Sequence, residues 1–359
     1  RICLAAPTGR AARRLSEISG KSAHTIHKLL AYNFDDHFFG RNQDNPIDAD
    51  LLIVDEASMV DAQLMGHLLE AVSLSTRLII VGDAFQLPPV GPGNVLADLI
   101  AADVIPTARL TTVFRQAAES RIIRNAHLVR QGRLPELCAF SETEFPDAEF
   151  YFWEENDPEA IAEAIRYLCA RLLPAAFDQE PPDAVQVLSP VHKGTVGTIN
   201  LNQKLQDALN PEAPAMTGSG RRFRAGDKVM NLKNNYAKEI YNGDIGRILR
   251  ADPENPGLIA DFYGREIAFA AEELEDLTLG YAISVHKSQG SEYPAVILPL
   301  VSRHHGMLQR NLLYTAITRA RSLVILVGSK NALSTALANN SPERRLSGLT
   351  QRLQQATAG

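Results

Sequence analysis

Cysteine, long apolar runs and positive charge are all in short supply in this 359-residue sequence, and each shortage removes a class of protein. The three cysteines, Cys3, Cys138 and Cys169, are too few and too far apart for a disulfide framework or a zinc ribbon. They read as small core hydrophobes of a reducing compartment. No apolar run reaches the ~20 residues of a membrane span, and the first residues lack the layout of a signal peptide. A soluble, cytoplasmic chain without a membrane partner is the expectation. Lys and Arg number 36 against 42 Asp and Glu, a net charge of −6. That balance argues against a surface that coats nucleic acid all over, while leaving room for one local basic track.

A glycine loop for phosphates is missing too. The single Gly-Lys-Ser, Gly20 to Ser22, would need another glycine at position 15, which is Leu15. The preceding "GRAARRLSEIS" is helix-like, so Gly20 is expected to cap a helix C-terminus rather than to hold phosphate. "APTGRAARR" has the strand-loop-helix context but no lysine followed by a hydroxyl.

What is present is an alternation. At 45% hydrophobic residues the chain can build two or three cored domains. The runs "RICLAAP", "LLIVDE", "RLIIVGD", "AVQVLSP", "AVILPLV" and "SLVILVG" read as strands, each followed by a turn or a helix-period segment. The pattern predicts an α/β protein of parallel sheets with its sites at the carboxyl ends of the strands. Two stretches break the rhythm. Residues 31–49 are polar, aromatic and turn-rich, and read as a hairpin-like insertion. Residues 219–276 carry short alternating runs separated by turn pairs, and read as a small all-β module. The last residues are polar and helix-prone.

At the end of "LLIVDEAS", Asp55 and Glu56 stand where a nucleotide hydrolase holds magnesium. Downstream, "VGDAFQLPPVGPG" ends the next strand with Asp83 and Gln86 and stiffens the turn with Pro88 and Pro89. Arg115 follows a strand-like run in "TTVFRQ", and Arg319 and Arg321 lie in "LLYTAITRARS". Arginines of this kind are usually plain surface residues, yet phosphoryl transfer spreads negative charge that a guanidinium can stabilise.

The order of motifs resembles a known family. "LAAPTGRAARRL", "TIHKLL", "LLIVDEAS", "VGDAFQLPPVGPG", "TTVFRQ", "LSPVHKGTVGT", "LGYAISVHKSQGSEY" and "LLYTAITRARS" are similar to the successive motifs of superfamily 1B helicases, and within them of the RecD-like DNA helicases. The resemblance runs from about residue 2 to residue 330. It implies two RecA-like parallel-sheet motor domains, the first incomplete at its N-terminus because the family's phosphate loop precedes "LAAPTGRAA". The expected division is 1–115 for the first motor domain with the insertion at 31–49, 116–218 and 277–340 for the second, 219–276 for a small SH3-like barrel, and 341–359 for a tail.

The resemblance also implies roles. ATP and Mg²⁺ are the expected cofactors. Asp55 would hold the metal, Glu56 would orient the attacking water, and Gln86, Arg115 and Arg319 would contact the γ-phosphate. Gly290 and Glu292 would approach the nucleotide from the second domain. Thr8, Arg10, Thr25, His27, Asn234, Asn235, Tyr236, Ser284, His286, Lys287 and Ser288 would face a DNA strand. Arg10, Arg13 and Arg14 share one helix face, as a phosphate track or as a solvated flank. Phe34, Phe38 and Phe39 could stack on the last base pair of a fork or pack their hairpin onto the domain. The loop with Lys233 and Asn234 is either a strand contact or a plain surface loop. The implied activity is ATP-dependent translocation on single-stranded DNA, 5′ to 3′, in recombination and repair, alone or beside other recombination-nuclease subunits. Three rivals stand beside it: an ATP-independent DNA-binding or scaffold fragment, an RNA-directed helicase of the same superfamily, and a relaxase-type conjugation protein, which would need a separate His and Tyr nickase domain upstream. No additional cluster of acidic and lysine residues supports a nuclease.

Overall fold

The computed structural model describes residues 1–33, 36–110, 120–142, 145, 148–176, 184–211, 215–218, 221–251, 257–340, 345 and 347–357. The chain divides into two compact units, Arg1–Thr112 with Ser341–Gly359, and Val113–Asn340.

The first unit is built on β1 (Ile2–Ala6), β2 (Ala23–Thr25), β5 (Leu51–Val54) and β6 (Arg77–Ile80), all parallel in the order β2-β1-β5-β6. Small residues at the end of β1 let helix α1 (Gly9–Ser19) lie close, with Ala6, Ala11 and Ala12 forming a buried contact. Gly20 ends that helix in the left-handed region at φ 65°, its N–H bonded to the Ser16 carbonyl. It is a C-cap, as the sequence predicts, because only glycine adopts this backbone without a Cβ penalty. Helix α2 (Ile26–Leu29) leads into a two-stranded antiparallel hairpin, β3 (Tyr32–Asn33) and β4 (Phe38–Phe39). The insertion then returns to the core, where Ile47 and Ala49 are buried with Leu52, Val54 and Leu68. Helices α3 (Ala62–Glu70) and α4 (Val95–Ala102) follow β5 and β6.

The expected tail takes a definite form. A helix over Leu349–Thr357 lies on α4, where Thr350 Oγ1 donates to the Asp98 carbonyl at 3.2 Å and Gln354 Nε2 to the Ala102 carbonyl at 3.4 Å. Leu349 packs on the core of this unit, and Arg345 donates to the Gly93 carbonyl at 3.0 Å.

The second unit holds a six-stranded parallel sheet in the order β17-β9-β18-β19-β8-β7. Its strands are β7 (Cys138–Ala139), β8 (Phe150–Glu154), β9 (Val185–Ser189), β17 (Ala282–Ser284), β18 (Tyr293–Leu300) and β19 (Ala320–Gly328). β18 and most of β19 are buried residue after residue, the signature of a parallel strand covered on both faces. The helices are α5 (Arg121–Arg130), α6 (Pro158–Tyr167), α7 (Thr198–Leu209), α8 (Arg310–Ile317) and α9 (Lys330–Ala338). Cys169 is buried in this core, and loss of solvent pushes its thiol up to about 12; all three cysteines are free.

Between α7 and β17 the chain forms a hairpin, β10 (Ala215–Gly218) and β11 (Arg221–Arg224), and then a five-stranded antiparallel sheet. The order is β15 (Arg265–Ala270), β14 (Gly257–Phe262), β13 (Ile245–Ala251), β12 (Lys228–Asn231) and β16 (Leu277–Leu279). Phe223, Val229, Ile248, Phe262, Phe269 and Leu277 fill its core. Strand β16 is the last of this sheet, and its pairing with β12 carries the β-module to Leu279, past 276.

Candidate nucleotide edge and strand-binding surface

In the first unit, β5 delivers Asp55 and Glu56 to the carboxyl edge of the parallel sheet. The Asp55 N–H continues the ladder to the Ala5 carbonyl at 2.9 Å, and its Oδ1 accepts from the Glu56 N–H at 2.8 Å. Glu56 sits at φ 52°, in the left-handed region, which turns its carboxylate off the strand direction ahead of a 3₁₀ turn at Ala57–Met59. An L side chain there costs on the order of 1–3 kcal/mol, strain that tends to collect at functional positions.

Gly82, just after β6, brings the next loop to the same edge. A Cβ at Gly82 would lie 3.0 Å from the Ala57 nitrogen and 3.1 Å from the Ser58 nitrogen, so any larger residue would push this loop back from the edge by a few tenths of an ångström. The loop beyond it is ordered by Asp83, which accepts from the Phe85 N–H at 3.0 Å through its side chain and from the Gln86 N–H at 3.2 Å through its carbonyl. Gln86 Oε1 and Ser58 Oγ are buried there without a hydrogen-bond partner among the described residues. An orphaned buried polar atom normally marks an unmade contact. Among the described residues no three His, Cys, Asp or Glu side chains gather into a cage for a metal. One carboxylate beside open space fits Mg²⁺, which keeps waters and takes phosphate oxygens. Arg115 lies outside the described residues.

Two residues expected to face DNA also cap helices, each through its hydroxyl oxygen as acceptor. Thr8 caps α1, accepting from the Ala11 N–H at 3.2 Å, and Thr25 caps α2, accepting from the Lys28 N–H at 3.1 Å. Arg10 is half-buried on α1. His27 belongs to an aromatic group, 5.6 Å from Tyr32 and 6.0 Å from Phe39, ring centre to ring centre, and Phe39 also lies 4.4 Å from His67. Burial lowers the His27 imidazole below its ordinary value, with Asp61 opposing. Phe39 thus packs the hairpin onto its unit, whereas Phe38 is 57% exposed. Phe34 lies outside the described residues.

The second unit brings more of its expected residues together. Ser284 caps the short turn Val285–Ser288, accepting from the Lys287 N–H at 3.4 Å, and Ser288 Oγ is turned inward to the Val285 carbonyl at 2.7 Å. Lys287 donates to Asn242 of the barrel loop. The Asn242 N–H donates to Asn234 Oδ1 at 2.8 Å, and Asn234 Nδ2 to the Tyr236 hydroxyl at 3.4 Å. Asn235 shapes the loop, pairing with Ile240 and accepting from the Lys238 N–H at 3.0 Å. Burial lowers the Lys287 ammonium. Burial and the neighbouring His192 lower the imidazole of His286. Lys233 is paired with Glu275 and Asp276.

Neither Asn242 nor His192 is singled out by the sequence. Asn242 sits in an Asn-Gly pair that reads as a turn, and the contact it makes joins segments far apart in the chain. The parallel pairing of Ser284 with Ser189 is what sets "PVHKG" beside "SVHKS".

The residues expected near nucleotide in this unit are differently disposed. Gly290 has φ 71°. Glu292 accepts from Arg321 at 2.9 Å. Arg319 is 5% exposed and donates to the Thr315 and Ser291 carbonyls at 3.3 and 3.2 Å and to Thr318 Oγ1 at 3.4 Å. A guanidinium has five N–H donors, so both terminal nitrogens retain one.

Two parallel sheets, the second with an antiparallel β-module inserted, define an α/β fold with two nucleotide-fold-like sheets. The chain is similar in fold to a Bacteroides Pif1 helicase solved with ADP-AlF3 and single-stranded DNA, at 20% identity, a TM-score of 0.55, and coverage of 99% of this chain and 88% of that one. Family profiles match in order along the sequence: an AAA domain at residues 1–144, an ATP-dependent RecD-like DNA helicase SH3 domain at 201–262, and a UvrD-like helicase C-terminal domain at 279–327. The ATP-dependent RecD2 DNA helicase of Deinococcus radiodurans is 40% identical over 352 residues, covering 98% of this chain and 46% of that protein. The RecBCD enzyme subunit RecD of Mycolicibacterium smegmatis is 32% identical over 382 residues, covering 99% and 66%. The chain belongs to the RecD-like helicase family and spans about half to two thirds of the length of these relatives.

Proposed function

We propose that this chain forms the motor of an ATP-dependent DNA helicase that moves 5′ to 3′ on single-stranded DNA and opens a fork. The observation that carries this reading is the approach of Gly82 to the Ala57 and Ser58 nitrogens, which sets the Gln86 loop beside the Asp55–Glu56 pair. Magnesium held through Asp55 would neutralise charge on the phosphates. Glu56 would orient water and take its proton on a carboxylate oxygen. Gln86 Oε1, an unspent buried acceptor, would receive a hydrogen bond from that water. The remaining terminal N–H donors of Arg319, and Arg115, would meet the γ-phosphate oxygens.

We place the phosphate loop on a further parallel strand beside β6. Support comes from β6 standing at the sheet edge with Ile79 and Val81 exposed. The strand surface would comprise Lys287, Asn242, Asn234 and Tyr236, with His286 and His192 beside them. Cations and amides there would take backbone phosphates, and Tyr236 would offer a ring to a base. A cytoplasmic setting, a role in recombination and repair, and association with other nuclease subunits belong to the same proposal.

DNA-stimulated ATP hydrolysis tests it, measured on the chain joined to a strand bearing G-x-x-x-x-G-K-[ST]. Oligothymidylate should stimulate turnover, and Glu56→Gln should lower it by roughly 10²- to 10⁴-fold. DNA binding without any turnover would instead favour the ATP-independent reading.

A further inference from the structure

The carboxylate of Asp227 is fully buried in the second unit and takes no part in the chemistry above. Its Oδ2 accepts from Gln206 Nε2 at 2.6 Å and the Arg224 N–H at 2.7 Å, and its Oδ1 from Asn210 Nδ2 at 2.9 Å and the Tyr281 hydroxyl at 3.0 Å. The side chain of Arg224 points its bonds elsewhere, to the Gln206 and Asn210 carbonyls and to Asp207.

The donors come from three places. Gln206 lies on α7 and Asn210 directly follows it, Arg224 ends the segment entering the barrel, and Tyr281 begins the segment leaving it. One carboxylate therefore grips both chain crossings between barrel and parallel sheet, and the helix beside them. Strand β9 holds the same two crossings: Gln186 Nε2 donates to the Gly280 and Tyr281 carbonyls at 3.1 and 3.0 Å, and Lys228 Nζ donates to the Val185 carbonyl at 3.2 Å. An inserted domain joined by two strands would otherwise hinge about them. A buried carboxylate held by four donors specifies one arrangement more strongly than apolar contact does, because any rotation strands a buried charge or donor.

We propose that Asp227 is a positioning residue that locks the barrel onto the six-stranded sheet, so that Asn242 of the barrel meets Lys287 of the sheet and the strand surface exists as one piece. This rests on the strand-binding reading of Lys287. The lock predicts that disturbing Asp227, which is fully buried, acts on DNA binding through Lys287.

The test is a double-mutant cycle on the full chain, read by anisotropy of labelled oligothymidylate across a salt series, with thermal melting alongside. Asp227→Asn should weaken binding by about tenfold and Tyr281→Phe by about threefold. Both should lower the salt slope towards that of Lys287→Ala, by about 0.7 for one lost phosphate contact. Adding either change to Lys287→Ala should cost little more, because coupled residues are not additive. If Asp227→Asn fails to fold, Tyr281→Phe at an unchanged melting temperature carries the same test. Unchanged affinity and slope, or losses that simply add, would overturn the lock while leaving the strand surface intact. A Lys287→Ala protein that binds like the parent would overturn the strand-binding reading and the lock with it.

Discussion

The two parallel sheets are made of similar apolar strands and end in different states. In the second unit, β18 is buried along nearly its whole length, so "YPAVILPL" has protein on both faces. In the first, "RLII" of β6 alternates, with Leu78 and Ile80 turned to the core while Ile79 and Val81 are exposed. Apolar composition alone would assign both strands the same burial, since parallel strands are normally covered on both faces. The first sheet thus carries a partly exposed apolar face and ends at β6, next to the strand that bears the carboxylate pair.

The largest effect should come from breaking the covered sheet. Ile297→Ser, at a fully buried position of β18, should cost about 3–5 kcal/mol by losing core contacts and burying a hydroxyl. Ile79→Ser on the open face of β6 should change stability by less than about 1 kcal/mol. Denaturant midpoints of the two variants check this, and equal losses would mean that the open face is covered in solution.

A smaller effect sharpens the contrast at the hairpin. The imidazole of His27 has its ordinary value of 6.5 lowered by burial, against the raising influence of Asp61. On acidification the unfolded chain takes up this proton before the folded unit does. The stability linked to His27 is therefore complete above about pH 6.5 and is lost as pH falls towards the folded value. Burial, and then Lys28, lower His24 in the same direction. Comparing denaturant midpoints at pH 7.5 and 5.5, the parent should lose more stability than His27→Gln, by less than about 1 kcal/mol.

Much of the fold was legible in the sequence because its signals are local. Strand runs ending in Asp, Gly or Pro mark both sheets, Gly20 follows a helix-period run, and turn pairs outline the barrel. The site was legible in part. Asp55 and Glu56 follow a strand directly, and the structure keeps them at the sheet edge. The engagement of Arg319 with backbone carbonyls could not be read, since it depends on how α8 meets the loop at Ser291. Thr8 and Thr25 carry hydroxyls that suit a helix cap and a phosphate equally well, and sequence does not decide between them. The docking of Leu349–Thr357 was hidden because several of its contacts are side-chain donors reaching carbonyls of α4 rather than an apolar stripe. Long-range contacts such as Asn242 with Lys287 leave no trace in spacing at all.

Strand separation reads out the proposed movement along a DNA strand powered at the edge that holds Asp55 and Glu56. Duplexes with a 5′ or a 3′ single-stranded tail would be given to the chain joined to its phosphate-loop strand, with and without ATP, beside the Glu56→Gln variant. ATP-dependent opening of the 5′-tailed duplex, little opening of the 3′-tailed one, and none by the variant are expected. Tight binding of both substrates with no opening of either would contradict the proposed movement.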